Sequence, residues 1–94
     1  MVVGVLELTL AIPAASLKEK RGVVRRIVSR TRNKFNVAAA EVDELDNPGA
    51  AVLGITTVAN DHKFVNSVLN KLMNFIDELY LAEIIDQHIE ITHY

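Results

Sequence analysis

The pattern of apolar and polar positions divides the chain into six segments. Four of them, residues 2–12, 37–45, 50–59 and 83–94, are rich in small or β-branched side chains and partly alternate, which is typical of strands. Between them lie two segments with apolar residues every three or four positions, the spacing of one helix face. The order predicts one α+β domain over residues 1–94, of the ferredoxin-like β-α-β-β-α-β class. Two helices should cover one face of a four-stranded antiparallel sheet, with the first and third strands in its middle.

The starts and ends of these segments are also encoded locally. Ser16 and Glu19 form a Ser-x-x-Glu capping box, in which each side chain pairs with a free backbone N–H at the helix start. Asn36 is a suitable left-handed stop for this helix, and Asn60 or Asp61 can cap the second one. The turn Asp46–Gly49 should close a hairpin, because proline fixes φ and glycine tolerates positive φ.

Alternation along the strands predicts which side chains face away from the helices. If Leu6, Leu8 and Leu10 face the helices, the outward set is Val5, Glu7, Thr9, Ala11, Val37, Ala39, Glu41, Val52, Gly54, Thr56 and Val58. This open face would be flat, rich in small residues and half apolar. Such a surface favours a homodimer formed sheet to sheet.

Charge adds a feature that the hydrophobic pattern does not show. The net charge is only −2, yet eight of the ten basic residues lie between Lys18 and Lys34, accompanied by the single acid Glu19. That segment therefore carries +7, and the other residues, with two bases and eleven acids, carry −9. A nearly neutral chain thus has a strongly positive first helix.

Basic side chains gathered on one helix are a typical arrangement for binding phosphate groups. The arginine fork suits phosphate oxygens better than a lysine point charge does. We expect the phosphate-binding residues to be Lys18, Lys20, Arg21, Arg25, Arg26, Arg30 and Arg32. The predicted central strands contain no Phe, Tyr or Trp, so bases should not stack on the sheet. A grip on RNA backbone or shape, as in folded ribosomal RNA, is expected instead.

The second helix carries a smaller polar pattern. Asn66, Asn70 and Asn74 recur every four residues, with Lys63 and Lys71 nearby. Amides can bind RNA sugar and phosphate, but a solvated row is the simpler interpretation.

The sequence contains no recognisable catalytic or metal-binding motif. The chain has no cysteine, its three histidines lack a ligand spacing, and its glycines form no phosphate-binding loop. Ser16 is better explained as a helix cap than as a nucleophile. No apolar run approaches the ~20 residues that cross a bilayer, and no basic leader is present, so a cytoplasmic protein without cofactors is expected.

The run Ser16-Leu17-Lys18-Glu19-Lys20-Arg21, with Val23–Arg25 behind it, resembles the hallmark of the YlxP-like family, a bacterial domain of unknown function. Lys34–Val37, Ala40–Val42 and the segment after Asn60-Asp61 also resemble that family. The resemblance implies a ferredoxin-like domain and genes that neighbour those of a translation initiation factor and a ribosome-binding maturation factor. No biochemical activity is established for that family, so the resemblance implies none for this chain.

These observations together predict a non-enzymatic accessory protein that binds RNA or associates with the ribosome through its basic helix. The alternative is a protein-interaction or homodimerisation module without a nucleic-acid role. In that case the cations form a solvated face or dock an acidic partner.

Overall fold

The computed structural model describes residues 1–94 and contains the six predicted elements in the predicted order. They are β1 (Val2–Ala11), α1 (Leu17–Lys34), β2 (Ala38–Asp43), β3 (Ala50–Ala59), α2 (His62–Glu78) and β4 (Glu83–His93). Strand ends differ from the predicted ones by one or two residues, and the ferredoxin-like architecture is confirmed. Neither helix has the length and apolar character needed to cross a membrane.

The sheet is antiparallel throughout and has the order β2-β3-β1-β4, which places the two predicted strands in the centre. Leu6 lies opposite Ile55 on β3 and Ile89 on β4. The pairing of each edge strand has one irregularity, because Ile85 on β4 and Val42 on β2 have no partner in the register. An extra residue on an edge strand increases the local twist of the sheet.

The core lies between the sheet and the helices. Leu6, Leu8 and Leu10 are fully buried there, together with residues such as Ile27 of α1 and Leu69 of α2. Gly4 lets α2 approach β1 closely: a Cβ atom at this position would come within 2.4 Å of Val65 Cγ1. The helices are therefore held on one face of the sheet, and the other face stays open.

Both helix starts use the predicted caps. Ser16 Oγ accepts a hydrogen bond from the Glu19 N–H at 3.2 Å, while Glu19 Oε2 accepts from the Ala15 N–H at 2.9 Å, one residue before the expected partner. Asp61, rather than Asn60, caps α2 through the Phe64 N–H at 3.0 Å. Local chemistry thus fixes where each helix begins.

Two residues suited to a left-handed backbone, Asn36 and Gly49, do not adopt it. The α1 helix ends at Lys34, its C-cap Phe35 has an extended backbone, and Asn36 is not left-handed. In the hairpin the residue with positive φ is Glu44, at 60°, and Gly49 has negative φ.

The outward set predicted for β2 was also wrong, because the strand has the opposite alternation. Ala38 and Ala40 lie opposite Thr56 and Gly54, which share the open face with Val5. The three residues predicted to face outward, Val37, Ala39 and Glu41, instead lie on the helix side. A run of three alanines offers little hydrophobic contrast between faces, so the sequence alone could not set the alternation.

Candidate nucleic-acid interface

Six of the seven predicted phosphate-binding residues are exposed on α1. They are Lys18, Arg21, Arg25, Arg26, Arg30 and Arg32, and Lys34 is exposed beside them. The opposite side of the helix, formed by residues such as Val24, Ile27 and Thr31, is buried against the sheet. None of the exposed cations lies within 4.0 Å of a carboxylate, since the only ion pairs are Lys20–Glu41 and His88–Glu90. The fold therefore leaves this charge available to a ligand.

The exposed cations form two rows. Lys34 Nζ lies 5.6 Å from the centre of the Phe75 ring on α2, so the row of Arg26, Arg30 and Lys34 borders the second helix. The other row, Lys18, Arg21, Arg25 and Arg32, lies on the far shoulder of α1 and extends about 20 Å along the axis. Arg25 and Arg32 line a shallow depression there. Each row can follow a phosphate backbone.

Lys20 was predicted to bind phosphate, and this was wrong. Its side chain has no solvent exposure, and Nζ lies 2.8 Å from Glu41 Oε2 and donates a hydrogen bond to the Glu44 carbonyl. Lys20 lies four residues before Val24 and seven before Ile27, which places it on the buried stripe of α1. That spacing was visible in the sequence, but the charge of the side chain argued for exposure.

Lys20 instead anchors the first turn of α1 to the β2–β3 hairpin. The left-handed backbone of Glu44 directs its carbonyl toward the ammonium group, which explains the positive φ at a non-glycine residue. The ammonium thus has a carboxylate and a carbonyl as partners. Lys18 and Arg21 flank this anchor on the exposed side of the helix, so it also positions the start of the cationic surface.

A groove that was not predicted lies between the two helices. It is lined by Lys34, Phe35, Lys71, Asn74, Phe75 and Glu78. The Phe35 and Phe75 rings meet edge to face, with centres 5.6 Å apart and planes at 76°. Two cations and one amide therefore surround an aromatic floor. These residues come from separate segments, and only the packing of α2 beside α1 brings them together.

The histidines form two small contacts. His62 Nδ1 and His93 Nε2 lie 3.1 Å apart, and His88 Nε2 lies 3.2 Å from Glu90 Oε1. The structure contains no group of three or more residues of metal-ligating type. The first contact joins the start of α2 to the end of β4.

The open face of the sheet differs in character from the helix layer. Its β2–β3 side exposes Val42 and Val58 by 53% and 58%, and Val5 on β1 is exposed by 42%. Its β4 side is acidic, because Glu7 of β1 lies in the same region as Asp86 and Glu90 of the edge strand. The two central strands add no aromatic ring to this face. All ten lysines and arginines lie on the two helices, and the Phe35–Phe75 pair also belongs to the helix layer.

The fold and this surface define a ferredoxin-like α+β domain with a cationic helix layer. The chain belongs to the family described as "Protein of unknown function (DUF503)", whose model matches residues 3–89. It is 39% identical over 64 residues to the "Uncharacterized protein YlxP" of Bacillus subtilis (strain 168), covering 68% of this chain and 70% of that protein. The predicted resemblance to the YlxP-like family is confirmed.

Two designed proteins are similar in fold. One is LFR1 1, a de novo design with a ferredoxin fold, at a TM-score of 0.54 and 16% identity over 98% of this chain and 83% of that one. The other is the de novo design Foldit4, at 0.52 and 14% identity over 99% of this chain and 97% of that one. At such identities the likeness concerns the fold alone.

Proposed function

We propose that the protein is a non-enzymatic, cytoplasmic RNA-binding factor that acts on ribosomal RNA or the ribosome through the exposed cations of α1. The observation that carries this proposal is a helix with seven exposed basic side chains, none of them paired with an acid of the same chain. Phosphate groups are the complementary partners, and they dominate nucleic-acid affinity.

The mechanism is electrostatic positioning. The arginines of both rows present planar forks that can hold phosphate oxygens bidentately. The acidic β4 side of the open face repels a polyanion, so the helix layer turns toward the RNA as the two approach. Contacts of this kind depend on backbone geometry more than on base identity, which suits a folded RNA with closely spaced phosphates.

Salt dependence and a matched pair of variants test the proposal. Purified protein is titrated into fluorescently labelled ribosomal RNA fragments at several salt concentrations. The variant Arg21→Gln/Arg25→Gln removes two positive charges from α1. Gln87→Glu/Thr92→Glu changes the net charge equally on β4, where both residues are exposed. Circular dichroism checks that both variants fold.

We expect wild-type affinity to fall steeply with salt. If both arginines contact phosphates, the plot of log K against log salt should be less steep for the α1 variant, its slope smaller in magnitude by about 1.4 to 1.8. The β4 variant should leave that slope nearly unchanged. The proposal fails if RNA does not bind at low salt, or if both variants weaken binding equally, since overall charge rather than α1 would then be responsible.

A specific observation supports a second candidate, a homodimerisation module. Val5, Val42 and Val58 expose apolar surface beside Ala38 and other small side chains on the open face. A two-fold partner placed there would bury this surface. Sedimentation of the wild type and of Val58→Asp tests the idea: a dimer that the aspartate dissociates supports it, and a wild-type monomer at high concentration refutes it.

A further inference from the structure

We propose that the groove between α1 and α2 holds a single unpaired nucleotide, so that the preferred ligand is RNA with a bulged or looped-out base beside a stem. This inference rests on the proposed RNA-binding function and names its target more narrowly. It also differs from the expectation from the sequence, which was a grip on RNA backbone or shape without base stacking.

The aromatic floor of the groove is the first reason. Phe75 is partly buried, with one part of its ring packed against the core and Phe35 meeting it edge to face. The remaining ring surface faces the groove, where the Lys34 ammonium lies 5.6 Å from its centre. A half-buried ring held by a second ring is a rigid stacking platform, because little side-chain freedom remains to be lost on binding.

The cover over that ring is replaceable. Lys34 is exposed, and its long side chain can leave the ring without disturbing the fold. Stacking of a base on an aromatic side chain strengthens binding about 5- to 150-fold, which exceeds the gain from an exposed cation–π contact. A base that displaces the ammonium also leaves Lys34 free to pair with the phosphate of the same nucleotide.

The polar rim is the second reason, because it suits a nucleotide better than a bare phosphate. Lys71 supplies a second cation, while Asn74 offers both a donor and an acceptor and Glu78 offers only acceptors. A carboxylate would oppose an isolated anion. It can accept hydrogen bonds from an exocyclic amino group or a ribose 2′-hydroxyl, which only a nucleotide brings.

The position of the groove is the third reason. The row of Arg26, Arg30 and Lys34 borders α2 and ends at the groove. A stem whose backbone follows that row would bring a neighbouring extruded base to the Phe75 ring. Binding of the stem and stacking of the base are then separate contributions to affinity.

Two labelled RNA hairpins with identical stems, one carrying a single bulged nucleotide, separate these contributions. Their affinities are compared for the wild type and for Phe75→Leu, which keeps an apolar side chain but removes the ring. Asn74→Ala and Asn70→Ala form a matched pair: both asparagines are exposed on α2, but only Asn74 lines the groove. A bulged 5-bromouridine, irradiated in the complex, identifies the contacted peptide.

We expect the wild type to bind the bulged hairpin at least 5-fold more tightly than the plain one. Phe75→Leu should abolish this preference by lowering affinity for the bulged hairpin far more than for the plain one, and Asn74→Ala should reduce the preference where Asn70→Ala does not. Equal wild-type affinities for the two hairpins, or a cross-link outside the groove, would overturn the inference and leave the proposed function standing. Failure to bind either hairpin would overturn both.

Discussion

The buried Lys20–Glu41 pair permits a sharp test of how the fold holds α1 in place. Lys20 has no solvent exposure, whereas the Glu41 side chain is 16% exposed. In Glu41→Gln the buried Lys20 ammonium therefore loses its carboxylate partner. A carbonyl and an amide are its only remaining polar partners. Lys20→Met leaves a carboxylate that can turn toward water. We expect the first variant to be the more damaging.

The magnitudes follow from this asymmetry. Removing one partner of a buried pair costs about 3–5 kcal/mol, and Glu41→Gln should lie near the lower end because the amide can still accept a hydrogen bond. Lys20→Met should cost about 1–3 kcal/mol, since solvation of Glu41 offsets part of the loss. Replacing both by Met and Leu should cost less than Glu41→Gln alone, because no uncompensated charge stays buried.

Urea unfolding followed by far-ultraviolet circular dichroism measures these effects. In thermal unfolding, a loss of about 3 kcal/mol in the free energy of unfolding should lower Tm by roughly 12–24 °C in a domain of this size. The double-mutant cycle then gives the coupling between the two side chains. The reasoning is refuted if Glu41→Gln costs less than Lys20→Met, or if the double variant loses as much as the two single variants added together.

Three further predictions concern the glycines and the histidine contact. Gly22→Ala should raise the free energy of unfolding by about 0.5–1 kcal/mol, because the helix gains propensity and a Cβ atom there meets nothing within 4 Å. A loss in chemical denaturation would contradict this. Gly4→Ala should destabilise by at least 1 kcal/mol, because its Cβ would overlap Val65 at 2.4 Å. An unchanged denaturation midpoint would contradict that. His62→Ala should speed hydrogen exchange at the end of β4, since the ring contacts His93. Unchanged exchange there would show that the contact adds no local stability.

The fold was predictable because several local features agreed. Alternation in β1, the caps at Ser16 and Asp61, and the handedness of the crossovers all lead to the same architecture. The alternation of β2 was not predictable in this way. Its alanines fit either face, and Glu41 faces the helices, where its partner is the buried Lys20.

The candidate site was predictable only in part. The cations of α1 follow from their positions in the sequence, and all but Lys20 are exposed as expected. The groove did not follow, because Phe35 and Phe75 lie 40 residues apart and each fits the apolar pattern of its own helix. Sequence periodicity assigns a residue to a face, but it does not show which faces of two helices meet.

The unpaired cations of α1 also lead to a prediction about the relation between stability and binding. Arg21 and Arg25 are four residues apart, as are Arg26 and Arg30, and like charges at this spacing repel. Acidic residues that could neutralise these arginines are present, but Glu7, Asp86 and Glu90 lie on β1 and β4 and not beside α1. Such an arrangement lowers stability unless a polyanion supplies the missing charge.

Arg21→Gln/Arg25→Gln should therefore be more stable than the wild type, by up to about 1 kcal/mol at low salt, while it binds RNA more weakly. The gain should shrink as salt screens the repulsion, and it should be absent in Gln87→Glu/Thr92→Glu, where α1 is unchanged. Urea unfolding at low and high salt measures all three proteins. A less stable α1 variant would mean that these arginines contribute to folding, and the case for reserving them for a ligand would fail.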